Sequence, residues 1–392
     1  MFSGLKKGFA TIDMQYPIYL DFNATTPLDP TVMEKMLPYF REHFGNASSS
    51  AHVYGWMAEE AVEQARQEIA SVINARTNEI IFTSGATESC NLAIKGYVEA
   101  NQHKGNHIIT VSTEHKAVLD VCDYLNKKGF EITYLPVDKN GMIDIDLLEN
   151  SIHSKTLMIA AMYANNETGV IHPIKEIAAI SEKHGVCFFT DATQSFGKVN
   201  MDVQNNGIDL MAFSSHKIYG PKGVGGLYIR NKQTSIKLAP LIHGGGHENK
   251  LRSGTLNVPG MVGFGTAGLL STDLQKNDQQ NYSQLNEAFS KGIQKMNGVY
   301  INAAGAERMQ NVLNVCFDLE GGEGLLKKIS KHVAVASGSA CSSAIVEPSH
   351  VLTAMGLDRR KANSSVRFSF GRTTTIHEIQ QTLDLIQEAL NI

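Results

Sequence analysis

In AFSSHKIYGPKGVGGLYIR, residues 212–230, His216 and Lys217 stand at the end of an apolar run, with Gly220, Pro221, Gly223, Gly225 and Gly226 close behind. A lysine is ordinarily a solvated surface charge. A desolvated lysine is instead a nucleophile toward carbonyl carbon, so its company decides. Asp191 and Gln194 stand in DATQS directly after VCFFT, and Asn165 and Asn166 in NNETG after TLMIAAMY. His115 opens a helix in TEHKAVLD after HIITVS, where a capping turn is the plain alternative, and Ala86 and Thr87 lie in SGATES after EIIFT. The last is a small-residue turn entering a helix, whose N–H groups and hydroxyl suit a phosphate, although an ordinary N-cap looks the same. An aspartate and a lysine at adjacent strand ends with a phosphate turn opposite are what pyridoxal 5'-phosphate requires. The lysine forms a Schiff base, the carboxylate keeps the pyridine nitrogen protonated so that the ring can accept electrons, and the turn holds the phosphate. A nucleotide site fits worse. GxxxxGK[ST] is absent, and GPKGVGG leads into a strand rather than from a strand into a helix.

The elements that must position these groups alternate. Apolar runs at 79–83, 107–112, 131–137, 156–163, 186–192, 209–215 and 225–230 read as strands, with helix-period segments between most of them. Near-continuous apolar strands separated by helices predict an α/β fold with a mostly parallel sheet covered on both faces, and ligands in such sheets sit at the carboxyl strand ends. A long helix is expected over 260–297. Strands VYINA, NVLNVCF, VAVAS and SVRFSF and helices at 322–331, 348–355 and 375–390 follow, the pattern of a smaller α+β domain. The expected division is an N-terminal arm (1–16), a large cofactor-binding domain (17–259) whose beginning packs on the small one, and a small domain (260–392).

With 392 residues, 42% hydrophobic and 19% charged, the chain can bury a large core without staples. A net charge of −4 argues against a general grip on nucleic acid or an anionic membrane. The cysteines, at 90, 122, 187, 316 and 341, are odd in number and show no CxxC spacing, which points to a reducing, cytoplasmic setting. No apolar run reaches the length of a membrane span, and MFSGLKKGFATIDMQ lacks the hydrophobic segment of a secretory signal.

DFNATTPLDP (21–30), SGATESCNLAIKG (84–96), TEHKAVLD (113–120), NNETGV (165–170), DATQSFGKV (191–199), SSHKIYGPKGVGGLYIR (214–230), HGGGHENKLRSGTLN (243–257), ASGSACSSAIVEPSHVL (336–352) and SVRFSFGRTTT (365–375) together resemble the cysteine desulfurases. Those are pyridoxal-phosphate enzymes of the class V aminotransferase family, with fold type I. The resemblance implies that Lys217 carries the cofactor, Asp191 meets its pyridine nitrogen and Gln194 its phenolic oxygen. His115 would stack on the ring and take part in proton transfers, and Ala86, Thr87, Ser214 and His216 would cradle the phosphate. Thr255 would come from the other subunit, which implies a homodimer. Asn23, Asn166 and Arg367 would hold the substrate, L-cysteine, with Arg367 gripping its carboxylate by a bidentate fork.

Cys341 lies in SGSACSSA, a run of small residues that suits a mobile loop. By resemblance Lys217 removes the α-proton and the Cys341 thiolate attacks the substrate sulfur. Alanine leaves, and the persulfide passes to a sulfur-acceptor protein such as an iron–sulfur scaffold. The other reading is a selenocysteine lyase or another β-eliminating lyase on the same scaffold, since selenium can leave without a protein nucleophile. A mere docking platform would be expected to have lost Lys217 or Cys341, and both are present. The remaining cysteines are expected to be buried, with Cys90 near the cofactor turn. His243 and His247 flank GGG without a third ligand nearby, so no metal is expected. Trp56 reads as a packing anchor, and Lys222, Lys232 and Lys237 as solvated surface. The chain runs twenty residues past Arg372, less than the tail by which housekeeping members of the resembled family dock a scaffold. The arm before Tyr16 precedes their usual start.

Overall fold

A computed structural model describes residues 16–231, 236–337 and 347–391. In the first part of the chain β1 (Ile18–Tyr19) stands apart from a seven-stranded sheet. That sheet is built from β2 (Ile80–Thr83), β3 (His107–Val111), β4 (Glu131–Leu135), β5 (Thr156–Ala160), β6 (Cys187–Asp191), β7 (Leu210–Ser214) and β8 (Gly225–Ile229). Its order is β2-β8-β7-β6-β5-β3-β4, parallel throughout except that β8 runs antiparallel to both neighbours.

Alternate residues explain the continuous apolar runs. Phe82, Ile109, Ile159, Phe188 and Phe213 face one core, shared with the helices Val53–Val72 and Val258–Ile293. Ile81, Ile108, Met158, Phe189 and Ala212 face another, shared with Leu92 and with the helix Lys116–Lys127. In β2, β3, β5, β6 and β7, with helices on both faces, neither register is solvated, so the polar alternation of a one-faced sheet is missing there. Behind β7 the rings of Phe196 and Phe213 stack at 4.4 Å and Phe264 abuts both at 5.8 and 5.9 Å, giving the strand that ends in Ser214 a rigid floor.

The helix Val258–Ile293 joins the two halves. Its Asn257 cap accepts from Gly260 N–H at 3.2 Å, and at 1.5 Å per residue it is about 54 Å long. Met261, Phe264 and Ala267 pack under the large sheet, and Tyr282, Leu285, Phe289 and Ile293 belong to a second core. That core lies against β9 (Val299–Ile301), β10 (Val312–Phe317), β12 (Ala336–Ser337) and β13 (Ser365–Ser369), an antiparallel sheet ordered β12-β13-β10-β9. VAVAS is not one strand. β11 (Val333–Ala334) pairs in parallel with β1, and β12 pairs with β13, so the run divides where it changes partner. The segment that follows β1 packs here too, for Leu20 sits in the second core and Ser369 N–H donates to its carbonyl at 2.8 Å.

The loop from His243 to Asn257 is tied down by one buried ion pair. Glu248 takes both ends of the Arg66 guanidinium at 2.7 Å, and Phe82 N–H donates to the same carboxylate at 2.7 Å. Glu248, Asn249 and Lys250 all have positive φ (46, 55 and 65°), a strained run that persists because this anchor over-determines it. Glu248→Ala strands a buried arginine. It is expected to lower the unfolding free energy by about 3–5 kcal/mol, read by urea denaturation; a change under about 1 kcal/mol would show that the pair is not the anchor.

Candidate functional site

The carboxyl ends of β2, β3, β5, β6 and β7 open into one cavity of about 660 Å³. Asn23, Ala86, Thr87, His115, Asn166, Asp191, Gln194, Ser214, His216, Lys217 and Arg367 all line it. Thr255 does not; it is exposed in the loop anchored by Glu248, whose Arg252 reaches the cavity-lining Glu88 at 2.9 Å. Cys341 lies outside the described residues, as does Lys232.

Lys217 closes a single tight turn, Ser215–Lys217, after β7. The turn is stitched to the segment around Thr26. Thr26 donates from both N–H and hydroxyl to His216 O at 3.0 Å, and Tyr219 N–H donates back to the Thr26 hydroxyl at 2.8 Å. The Lys217 amine donates to the carbonyls of Asn23 and Ala24 at 2.6 and 2.7 Å. Burial, reinforced by Arg367 and opposed by Asp191 and Asp21, pulls its pKa down to about 8. Such an amine exposes its lone pair near neutral pH far more often than an ordinary lysine. His216 is drawn to about 4 by burial and by Lys217, Lys222 and Lys198, so its imidazole is neutral at pH 7.

Asp191 ends β6, beside β7, and accepts from the N–H of Thr193 at 2.9 Å. Two acids stay protonated near it. Glu114, fully buried, has its carboxyl driven well above the usual range by burial and by Asp191, and its Oε1 accepts from Met162 N–H at 2.5 Å. The Cys90 thiol is pushed up by burial, then by Asp191 and Glu114; it lies behind the site and does not line it. Cys122, Cys187 and Cys316 are buried as expected.

His115 is both cap and cavity wall. Its Nδ1 accepts from Ala117 N–H at 3.1 Å, so in the neutral ring the proton sits on Nε2, the nitrogen left for exchange. Gly225 shows why a glycine opens β8: a Cβ there would lie 2.6 Å from the Gly85 Cα, so only glycine lets the SGATES turn sit against the sheet. Asn165 holds its own turn, accepting from the N–H groups of Glu167 and Thr168 at 2.9 Å, while Asn166 faces the cavity.

Arg367 projects from β13 of the other sheet. One terminal nitrogen pairs with Asp21 at 2.7 Å and the other donates to Asn166 O at 3.1 Å, while its buried Nε has no partner among the described residues. A cation pinned with an unsatisfied donor suits a small carboxylate. The Asn23 amide is engaged in scaffolding, donating to Asn166 O and accepting from Asn311 at 3.0 Å. Glu167 stands behind, its carboxyl raised to about 7 by burial against the pull of the Ser349 hydroxyl and Arg367.

A primary amine, a carboxylate, a small-residue turn and a guanidinium around one cavity fit an aldehyde-bearing pyridine phosphate with an amino acid beside it. Sequence reasoning missed Asp21, Thr25, Glu88, Met162 and Thr193, whose only signal was nearness to a strand end. It also placed Lys222 on open surface; the residue is exposed but at the cavity wall. Trp56 is no packing anchor. It is 52% exposed with its indole N–H on Ser50 O, because its helix turns that face outward. His247 lies 2.8 Å from the Ser48 hydroxyl and accepts from Gly254 N–H.

Comparison with known proteins follows the geometry. The aminotransferase class-V family matches residues 18–382. A cysteine desulfurase IscS from Rickettsia bellii is 49% identical over 376 residues, 96% of this chain and 91% of that one. The protein of that name from Neisseria meningitidis serogroup C is 49% identical over 374 residues, 95% and 92% of the two chains. Among solved structures a NifS-like protein superposes with a TM-score of 0.88 at 36% identity, covering 96% and 99%. The structure titled SspA in complex with cysteine gives 0.81 at 38%, covering 90% and 98%.

In the apoprotein Lys217 is expected to react with an amine-directed acylating reagent along a pH profile with its midpoint near 8, followed by peptide mapping. Raising the pH through 8 removes its proton and speeds labelling. A midpoint above 10 would mean that the cavity does not desolvate it.

Proposed function

This chain belongs to the aminotransferase class-V family and is a cysteine desulfurase, and we propose that it works through pyridoxal phosphate held on Lys217 and a sulfur-accepting thiol at Cys341. The observation that carries the proposal is the pairing of a desolvated Lys217 with Asp191 on adjacent strands, facing Arg367 across one cavity. Bound there, the cofactor supplies an electrophilic carbon for the amine and a sink for the electrons released at the substrate α-carbon.

The rest is the work of the chain's own residues. Arg367, pre-oriented by Asp21, takes the α-carboxylate of L-cysteine through its guanidinium, and Asn166 borders the same place. With the cofactor bound, Asp191 would meet its pyridine nitrogen and Gln194 its ring oxygen, and Ala86, Thr87, Ser214 and His216 would hold its phosphate. Lys217 carries a proton on Nζ between the substrate carbons, and His115 exchanges one at Nε2. The Cys341 thiolate attacks the substrate sulfur, the carbon–sulfur bond breaks, and the carbon side takes a proton to leave as alanine. The persulfide then passes to an acceptor protein, an iron–sulfur scaffold or another thiolation partner, in the cytoplasm. Among the described residues no helix is long and apolar enough to cross a membrane.

The purified protein, incubated anaerobically with L-cysteine, is expected to release alanine and to carry a persulfide. Cys341→Ala should lose both while keeping its visible absorbance band, and Lys217→Ala should lose the band. Cysteine desulfuration that survives Cys341→Ala would overturn the thiol's role. Selenocysteine cleavage that survives while desulfuration does not is expected, because selenium needs no protein nucleophile.

The same reading includes a homodimer. Phe40, Phe44, Val53, Tyr54 and Trp56 are 52–65% exposed on neighbouring segments, with the Phe44 and Tyr54 rings 5.4 Å apart. An apolar patch of this kind marks an interface, and Thr255, outside its own cavity, would then serve the partner's. Sedimentation should give a dimer that Phe44→Glu combined with Trp56→Glu converts to monomer. A wild-type monomer would refute it.

A further inference from the structure

Lys198 lies in DATQSFGKV, four residues beyond Gln194, half-buried beneath the cavity. Its backbone is fixed from two sides. Its N–H donates to Ser195 O at 2.9 Å, and its carbonyl accepts from Gln279 of the helix Val258–Ile293 at 3.1 Å. Gly197 before it has φ +70°, and a Cβ there would stand 2.5 Å from the Ser271 hydroxyl. Only glycine lets the turn press this closely on that helix.

The amine of Lys198 donates to Gln194 Oε1 at 3.4 Å. The other end of that amide, Nε2, donates to Asn23 O at 3.0 Å, the carbonyl that also receives Lys217. An amide has one accepting and one donating end. Turned over, Gln194 would set its oxygen against the Asn23 carbonyl and its NH2 against the Lys198 amine, two repulsions in place of two hydrogen bonds. Lys198 and Asn23 therefore select a single orientation, with the NH2 on the Asn23 side.

We propose that Lys198 is a positioning residue, which by holding Gln194 Oε1 fixes the amide NH2 as the donor toward the ring oxygen of bound pyridoxal phosphate. This rests on the cofactor reading above. Lys217, Arg367 and Arg372 are the cations facing Lys198; with burial as the larger cause, they pull its pKa down to about 7. The amine keeps N–H donors in either state, so the orientation holds across neutral pH.

The test uses the holoenzyme and a double-mutant cycle. Lys198→Met and Gln194→Leu should each weaken binding of pyridoxal phosphate to the apoprotein by about 3- to 10-fold, the size of one hydrogen bond. Each should also displace the pH midpoint of the visible band. Lys198→Arg should restore both. In the Gln194→Leu background Lys198→Met should add nothing, because its effect runs through that amide. Additive shifts, or a Lys198→Met protein with unchanged binding and midpoint, would overturn the inference. If Lys198→Met does not fold, Lys198→Ala, which likewise lacks a donor, serves in the same comparison. A wild-type protein with no Lys217-dependent band overturns the cofactor reading itself, whereas a Lys217-dependent band with additive shifts overturns only the role of Lys198.

Discussion

The two carbonyls that receive the Lys217 amine, those of Asn23 and Ala24, are the contact on which the cavity depends. A desolvated amine beside Arg367 needs acceptors, and the chain brings them from a segment whose beginning is built into the other core. Leu20 is buried there and Ser369 N–H bonds its carbonyl. Three residues on, the same segment presents Asn23 and Ala24 to the end of β7. The lysine is thus held by a strap anchored to the sheet that also supplies Arg367, so the distance between the two cations is set by one short length of backbone.

That strap also fixes the electrostatics. Asp21, two residues before Asn23, pairs with Arg367 and raises the tendency of Lys217 to hold its proton, while Arg367 lowers it. Burial outweighs these pairwise effects and sets the amine near 8. The neutral acids beneath Asp191 follow the same rule: Glu114 and Cys90 are too deep to ionise, so they add no negative charge to compete with a substrate carboxylate for Lys217 and Arg367. Charge in this site is rationed by depth.

The inner strands were legible because both of their faces are covered, which made those runs apolar almost from end to end, whereas the edge strand β4 is part-exposed. The runs of β2, β3, β5, β6 and β7 then finish in polar clusters that line the cavity. The smaller sheet was legible except at VAVAS, where local pattern cannot say that a strand changes partner midway. Trp56 misled for a related reason: a tryptophan on an amphipathic helix reads as core unless the outward face of that helix is known.

The linear order of residues pointed to the chemistry. Apolar runs ending in polar residues marked Lys217, Asp191, Gln194 and His115, which are written locally, and the resemblance to the cysteine desulfurases added Arg367. Folding decided what these groups do to one another. The depressed pKa of Lys217, the engagement of the Asn23 amide, the pairing of Asp21 with Arg367 and the contact of Lys198 with Gln194 all join residues distant in sequence or set by burial. Desolvation and hydrogen-bond direction are properties of a surrounding volume, and that volume exists only once both sheets, the long helix and the N-terminal strap have closed around it.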